Sequence, residues 1–144
     1  KINKDFELKL GQEVPRLAKE FELEAKEPMV ALHRTRTADG VPVAYCTDYL
    51  PTELLPEDIK REDFSESLFD FLQEECNIYV TYAVADVVPV NVDQLLAEKL
   101  NLEEQTPVLL LKQMHYDDRD NPVLYSKNYF RSDKFEFHVV RTRE

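Results

Sequence analysis

Arg34 and Arg36 stand one residue apart in Val-Ala-Leu-His-Arg-Thr-Arg-Thr-Ala-Asp-Gly-Val-Pro-Val, residues 30–43. Side chains alternate faces along a strand, so Val30, Leu32, Arg34 and Arg36 project to the same side. That side begins apolar and ends in two guanidinium groups. Each guanidinium offers a planar fork of N–H donors suited to a carboxylate or phosphate. An anion held at the rim of an apolar cavity is the chemistry this pair implies. A strand end with two solvated arginines is the plainer alternative.

The elements that must position the pair are repeated further along. Leu17, Ala18, Leu23, Glu24, Pro28, Leu32 and Asp39 recur in order as Leu96, Ala97, Leu102, Glu103, Pro107, Leu111 and Asp118. After one inserted residue, Pro42, Val43, Tyr45 and Tyr49 meet Pro122, Val123, Tyr125 and Tyr129. Each copy reads as a short helix, a Pro-led strand, an Asp turn and a return strand. Asp39-Gly40 is a hairpin turn signature. Two copies are too few for a solenoid and fit one domain with an internal pseudo-twofold. In the second copy the face equivalent to Arg34 and Arg36 carries Gln113 and His115, so all four polar groups are expected in one pocket.

The remaining segments fill in around the copies. Residues 2–10 alternate as a first strand, with Phe6, Leu8 and Leu10 on one face, and residues 14–23 have helical spacing with Pro15 in the first turn. Residues 57–63 read as a charged, exposed helical piece. Ser65 and Ser67 are both N-cap candidates for a helix to about Cys76, with Leu68, Phe69, Leu72 and Cys76 as its apolar face. Residues 78–88, including Tyr82, are rich in Tyr and β-branched types and predict a long strand. Residues 91–100 repeat the first helix, 107–129 repeat the hairpin, and 134–141 predict a last strand. About seven strands and three or four helices give an α+β fold, a mostly antiparallel β-sheet with flanking helices.

The 144 residues form one domain of ordinary size. With 18 basic against 29 acidic residues, the net charge of −11 disfavours binding of DNA or RNA by this chain alone. Neither an apolar run of membrane-spanning length nor a signal-peptide pattern occurs, so a soluble cytoplasmic protein is expected. The two cysteines, Cys46 and Cys76, lack metal or redox spacing and are expected as free thiols. Only two glycines occur, which excludes a Gly-rich phosphate loop. The three histidines do not have ligand spacing with the cysteines, so neither a metal nor another cofactor is expected. No nucleophile elbow or triad motif is present. Ser67, at a helix start, offers backbone N–H groups for the far end of an anion held by Arg34 or Arg36; the alternative is that it only caps its helix.

The run Arg34-Thr35-Arg36-Thr37-Ala38-Asp39-Gly40-Val41-Pro42-Val43, followed by Asp48-Tyr49-Leu50-Pro51, resembles the UTRA domain of GntR-type transcription regulators of the HutC branch. Ser67-Leu68-Phe69, Asp118 through Pro122-Val123, and Arg131-Ser132-Asp133-Lys134-Phe135 add to the resemblance, which covers about Phe6 to Arg141. It implies the chorismate lyase fold and the effector-binding, dimerising half of a bacterial regulator, with residues 1–144 as that single domain. A winged helix-turn-helix DNA-binding domain is expected to precede the chain, which opens at Lys1 without a methionine. DNA would then be bound only through that other domain, and the partner of this one would be a small anionic metabolite. The resemblance assigns anion contacts to Arg34, Arg36 and Ser67. Cys46 and Leu124 stand where such domains often carry Glu. This departure predicts a less polar wall, without negative charge beside the arginines, and a more apolar anion. The full candidate ligand-binding set is Arg34, Arg36, Cys46, Ser67, Tyr82, Gln113, His115 and Leu124. Two other functions remain in view: a chorismate-lyase-like enzyme, which needs an interior acid, and a dimerisation module whose pocket has decayed.

Overall fold

The computed structural model describes residues 6–64 and 67–143. Six antiparallel strands make one sheet: β1 (Glu7–Gln12), β2 (Met29–Ala38), β3 (Val41–Pro51), β4 (Val80–Asn91), β5 (Pro107–Asp117) and β6 (Pro122–Arg131). Three α-helices accompany it: α1 (Pro15–Glu20), α2 (Leu68–Cys76) and α3 (Gln94–Leu100). Two short 3-10 turns, Thr52–Leu54 and Arg61–Phe64, lead into α2.

The strand order β1-β2-β3-β6-β5-β4 reads as two mirrored halves. One half is β1-α1-β2-β3 and the other β4-α3-β5-β6, while α2 is an insertion without a twin. Where the halves meet, Tyr45 pairs with Tyr129 and Tyr49 with Tyr125, symmetrically about the Thr47–Lys127 pair. The pseudo-twofold axis therefore crosses the sheet at Thr47 and Lys127. The β2–β3 turn uses Asp39 at φ 52° and Gly40 at φ 78°, positive angles that match the twist of a two-residue hairpin. The twin hairpin keeps one positive angle, at Asp120 with φ 63°, and adds Asp117, whose carboxylate accepts from the Arg119 and Asn121 amides, each at 2.9 Å.

The two sides of the sheet are covered differently. On one side, α1 sets Leu17, Ala18 and Phe21 against Met29, Tyr49, Met114 and Tyr125. On the same side, α3 sets Leu96, Ala97 and Leu100 against Tyr45, Val108 and Tyr129. Asp93 caps α3 by accepting from the Leu96 amide at 2.9 Å. The opposite side carries α2, whose Leu68, Phe71 and Leu72 meet Val30, Leu32, Leu50 and Leu124. Burying a leucine such as Leu72 contributes roughly 1.5–3 kcal/mol.

Three expectations need correction. The chain after Arg131 makes no strand: residues 135–143 have no regular structure. The neighbours of β6, namely β3 and β5, are already in place, so no free ladder adjoins it. Phe135 and Phe137 instead pack edge-on against Phe130, with ring centroids 4.9 and 5.1 Å away. The sheet accordingly has six strands among the described residues, not seven. The third correction concerns α2, where Phe71 and not Phe69 joins the buried stripe. Phe69 is half exposed and turns towards β5. Of the other sequence elements, residues 2–5 of the first strand and the Ser65 cap candidate lie outside the described residues.

Candidate functional site

Strand register assembles the site on the α2 side of the sheet. One cross-strand row holds Leu32, Asp48, Ser126 and Gln113; the next holds Arg34, Cys46, Asn128 and Leu111. Arg36 follows Arg34 on the same face, opposite Ala44. This polar belt lies between the α2 core and a second apolar cluster of Ala44, Phe130, Leu111 and Phe135. Alternation and the sequence repeat thus bring Arg34, Arg36, Cys46, Gln113 and His115 to one face.

At its centre lies a carboxylate that sequence reasoning did not single out. Asp48 is 4 % exposed. The Ser126 hydroxyl donates to Asp48 Oδ1 at 2.7 Å, and Arg34 Nη2 donates to Asp48 Oδ2 at 3.3 Å. Since Ser126 gives its proton to Asp48, its contact with His115 Nε2 at 3.2 Å makes the imidazole the donor there. A continuous chain therefore runs from His115 through Ser126 and Asp48 to Arg34. Burial pushes the Asp48 carboxyl above the usual carboxylate range, and Arg34 and Ser126 offset part of that shift. The expected absence of negative charge beside the arginines is therefore overturned: Asp48 supplies it, two residues from Cys46. The wall is correspondingly more polar than Cys46 and Leu124 alone suggest, with Ser126 and Asn128 added to it.

The arginines differ. Arg34 uses Nη2 on Asp48, while its Nε is buried without a hydrogen-bond partner among the described residues. A buried unpaired donor of this kind is the group a bound anion satisfies. Arg36 is exposed and has no carboxylate within ion-pair distance among the described residues. Cys46 is buried, and burial together with the nearby Asp48 charge pushes its thiol up to about 11 against the pull of Arg34 and Arg36. It is a neutral wall residue at physiological pH, and both cysteines are free.

The other candidates are spread around this centre. His115 is buried beneath Phe69, with ring centroids 5.5 Å apart. Both border a cavity of ≈ 250 Å³ with Gln73, Tyr82 and Ala83, where α2 meets β4 and β5. Tyr82 stacks on Tyr116 at 5.0 Å and donates to Asp120 at 2.7 Å. Leu124 is 1 % exposed and belongs to the α2 core, away from any open surface. Ser67 is exposed, and its Oγ accepts from the Asp70 amide at 3.3 Å as the N-cap of α2. Ser67→Ala should lower apo stability by about 1 kcal/mol through the lost cap. A thermal melt checks this, and an unchanged ligand-induced shift in the variant would leave the cap as its whole role. Among the described residues no group of three His, Cys, Asp or Glu is placed to hold a metal ion.

His115 makes the site pH-sensitive. Burial lowers its pKa below 6.5, against the opposing pull of Asp48. The unfolded chain therefore binds the proton first, so this contribution is complete above about pH 6.5 and is lost as pH falls. Asp48, shifted upward, runs the other way, its contribution fading as pH rises through its raised folded value. Melting curves of the wild type and His115→Gln isolate the histidine: the variant should lose less stability between about pH 7.5 and about pH 5.5. Parallel curves for the two proteins would rule out the linkage.

The family model described as "UTRA domain" matches residues 5–136. The chain belongs to the UTRA domain family. Among curated proteins, it is 26% identical over 104 residues to the HTH-type transcriptional repressor NagR of Bacillus subtilis, covering 72% of this chain and 42% of that protein. It is 28% identical over 113 residues to the HTH-type transcriptional repressor PhnF of Mycolicibacterium smegmatis, covering 78% and 46%. The chain thus spans about half the length of these relatives. The effector domain of PhnF from Mycobacterium smegmatis superposes with a TM-score of 0.82 at 25% identity, covering 99% of this chain and 86% of that one. A GntR-family transcriptional regulator from Enterococcus faecalis V583 gives 0.84 at 16% identity, with 94% and 96% covered, a likeness of fold. The α+β UTRA fold expected from the motif residues is the one observed, and the homologues are transcriptional regulators.

Proposed function

We propose that this UTRA domain is the effector-sensing, dimerising part of a bacterial transcription regulator and binds a small anionic metabolite without chemical turnover. The observation that carries the reading is that, among the described residues, Arg36 has no ion pair and the buried Nε of Arg34 has no hydrogen-bond partner, both on the same face. An anion placed there would accept from both forks, with hydroxyls or amides of its body reaching Gln113 or Asn128. Asp48 is an interior carboxyl, but its two oxygens already serve Ser126 and Arg34, which favours sensing over acid catalysis. Regulation would follow from differential affinity: the effector stabilises one arrangement of a dimer and with it one placement of separate DNA-binding domains. Such a regulator works in the cytoplasm, on twofold operators.

The test is a panel of phosphorylated and carboxylated metabolites, scored for melting shift and for chemical change of the compound. A shift without turnover supports the sensor, whereas turnover identifies an enzyme. No response from any compound leaves a dimerisation module as the better reading. The chain alone should not retard operator DNA at physiological salt, given its net charge of −11. A monomer mass by light scattering at micromolar concentration would count against dimerisation through this domain.

A further inference from the structure

The side of the sheet that carries α1 and α3 has a polar row of its own. Glu7, His33, Thr47, Lys127, Lys112 and Asp86 lie opposite one another across all six strands. The row runs through the pseudo-twofold axis, in the gap between the α1 and α3 contacts. The pseudo-twofold exchanges His33 with Lys112 and Thr47 with Lys127, so the two halves can be compared directly.

One half is closed. His33 Nδ1 and Thr47 Oγ1 are hydrogen-bonded at 3.0 Å, and the imidazole stacks on Tyr45 at 6.3 Å. In the other half, half-buried Lys112 and Lys127 face each other as a cross-strand pair of like charge. Such a pair is destabilising by itself. Neither lysine has a carboxylate within ion-pair distance among the described residues. Lys127 rests over the Tyr129 ring at 5.9 Å. A cavity of ≈ 420 Å³ opens here, bordered by both lysines, by Arg16 and Glu20 of α1, and by Tyr49 and Tyr125. The α3 positions matching Arg16 and Glu20 are Leu95 and Lys99, so this basic cavity has no twin.

We propose that this cavity is a second anion site, for a small phosphate-bearing molecule with a planar or apolar body. Lys112, Lys127 and Arg16 face two carboxylates here, Glu20 at the cavity wall and Asp86 opposite Lys112 in the row, which leaves a net positive charge in a concave site of a strongly acidic protein. A phosphate between Lys112 and Lys127 replaces their repulsion with two charge-assisted hydrogen bonds and lies within reach of Arg16. The cross-strand neighbours Tyr49 and Tyr125, both at the cavity wall, supply apolar surface for the body and hydroxyl donors at its edge. The site lies across the sheet from Arg34 and Arg36, so its occupant does not compete with theirs.

Calorimetric titration of the 144-residue chain with phenyl phosphate and with inorganic phosphate tests this. Phenyl phosphate should bind the more tightly of the two. Lys112→Met with Lys127→Met should weaken it by about tenfold or more, while Arg36→Ala should change it by less than about twofold. Arg16→Gln, an exposed change that keeps the core intact, should weaken it by about threefold even if the double variant misfolds. No binding to the wild type, binding unaffected by Arg16→Gln, or loss only in Arg36→Ala would each overturn the second site. The last outcome would leave the Arg36 pocket standing, so the two readings fail separately.

Discussion

Arg36→Ala should abolish the thermal stabilisation given by an anionic effector while leaving the ligand-free melting point within a few degrees of wild type. The first half follows from the chemistry of the guanidinium. A ligand at roughly 100 times its dissociation constant stabilises a fold by about 2.7 kcal/mol. For a domain of this size that is on the order of 5–10 °C, since each kcal/mol gives roughly 2–4 °C. The second half follows from placement. Arg36 is exposed at the end of β2, with no ion pair among the described residues, and its contact with the buried Cys46 is a hydrogen bond to a weakly accepting thiol, so its removal costs the empty fold little. Differential scanning fluorimetry on both proteins, with and without the strongest compound of a metabolite panel, gives the comparison. An Arg36→Ala domain that melts far below wild type yet still gains its shift would make the arginine structural and move the anion elsewhere.

The same contrast between arginines explains what the sequence could and could not reveal. The hairpins were legible because Asp39-Gly40 fixes a tight turn and because the second copy repeats the pattern in the same order. Alternation then placed Arg34 and Arg36 on one face without knowledge of the partner strands. What alternation cannot supply is the identity of the side chain opposite. Asp48 stands in the motif Asp-Tyr-Leu-Pro, and only register shows it beside Ser126 and within reach of Arg34. A consistent signal was nevertheless present: Asp48 lies two residues from Cys46 and so shares its face. The supposed last strand failed for the complementary reason. Phe135 and Phe137 alternate like strand residues, but with both neighbours of β6 already in place they serve as a ring cluster on Phe130. Phe69 was misplaced because α2 presents Leu68, Phe71 and Leu72 to the core, a stripe that leaves Phe69 free to cover His115.

Asp48→Ala should be among the most destabilising single changes on the pocket face, by about 2–4 kcal/mol. Removing one partner of a buried ion pair leaves the other uncompensated, which usually costs about 3–5 kcal/mol, and Ser126 would lose its acceptor as well. The Arg34 side chain is 32% exposed and can turn part of its fork to water, which lowers the cost. At roughly 2–4 °C per kcal/mol, the melting temperature should fall by about 4–16 °C. Asp48→Asn separates shape from charge, since its carbonyl oxygen can still accept from Ser126 while the pairing with Arg34 is lost. It should therefore fall between wild type and alanine. The charge has a further consequence for the site, because Asp48 holds Arg34 back from any incoming anion. With that carboxylate neutralised, both Arg34 and Arg36 face the ligand unopposed, so Asp48→Asn should bind an anionic effector more tightly than wild type despite folding less stably. Melting curves and a titration on the same protein decide the point. If Asp48→Asn weakens binding in proportion to its stability loss, Asp48 positions Arg34 for the ligand and does not compete with it.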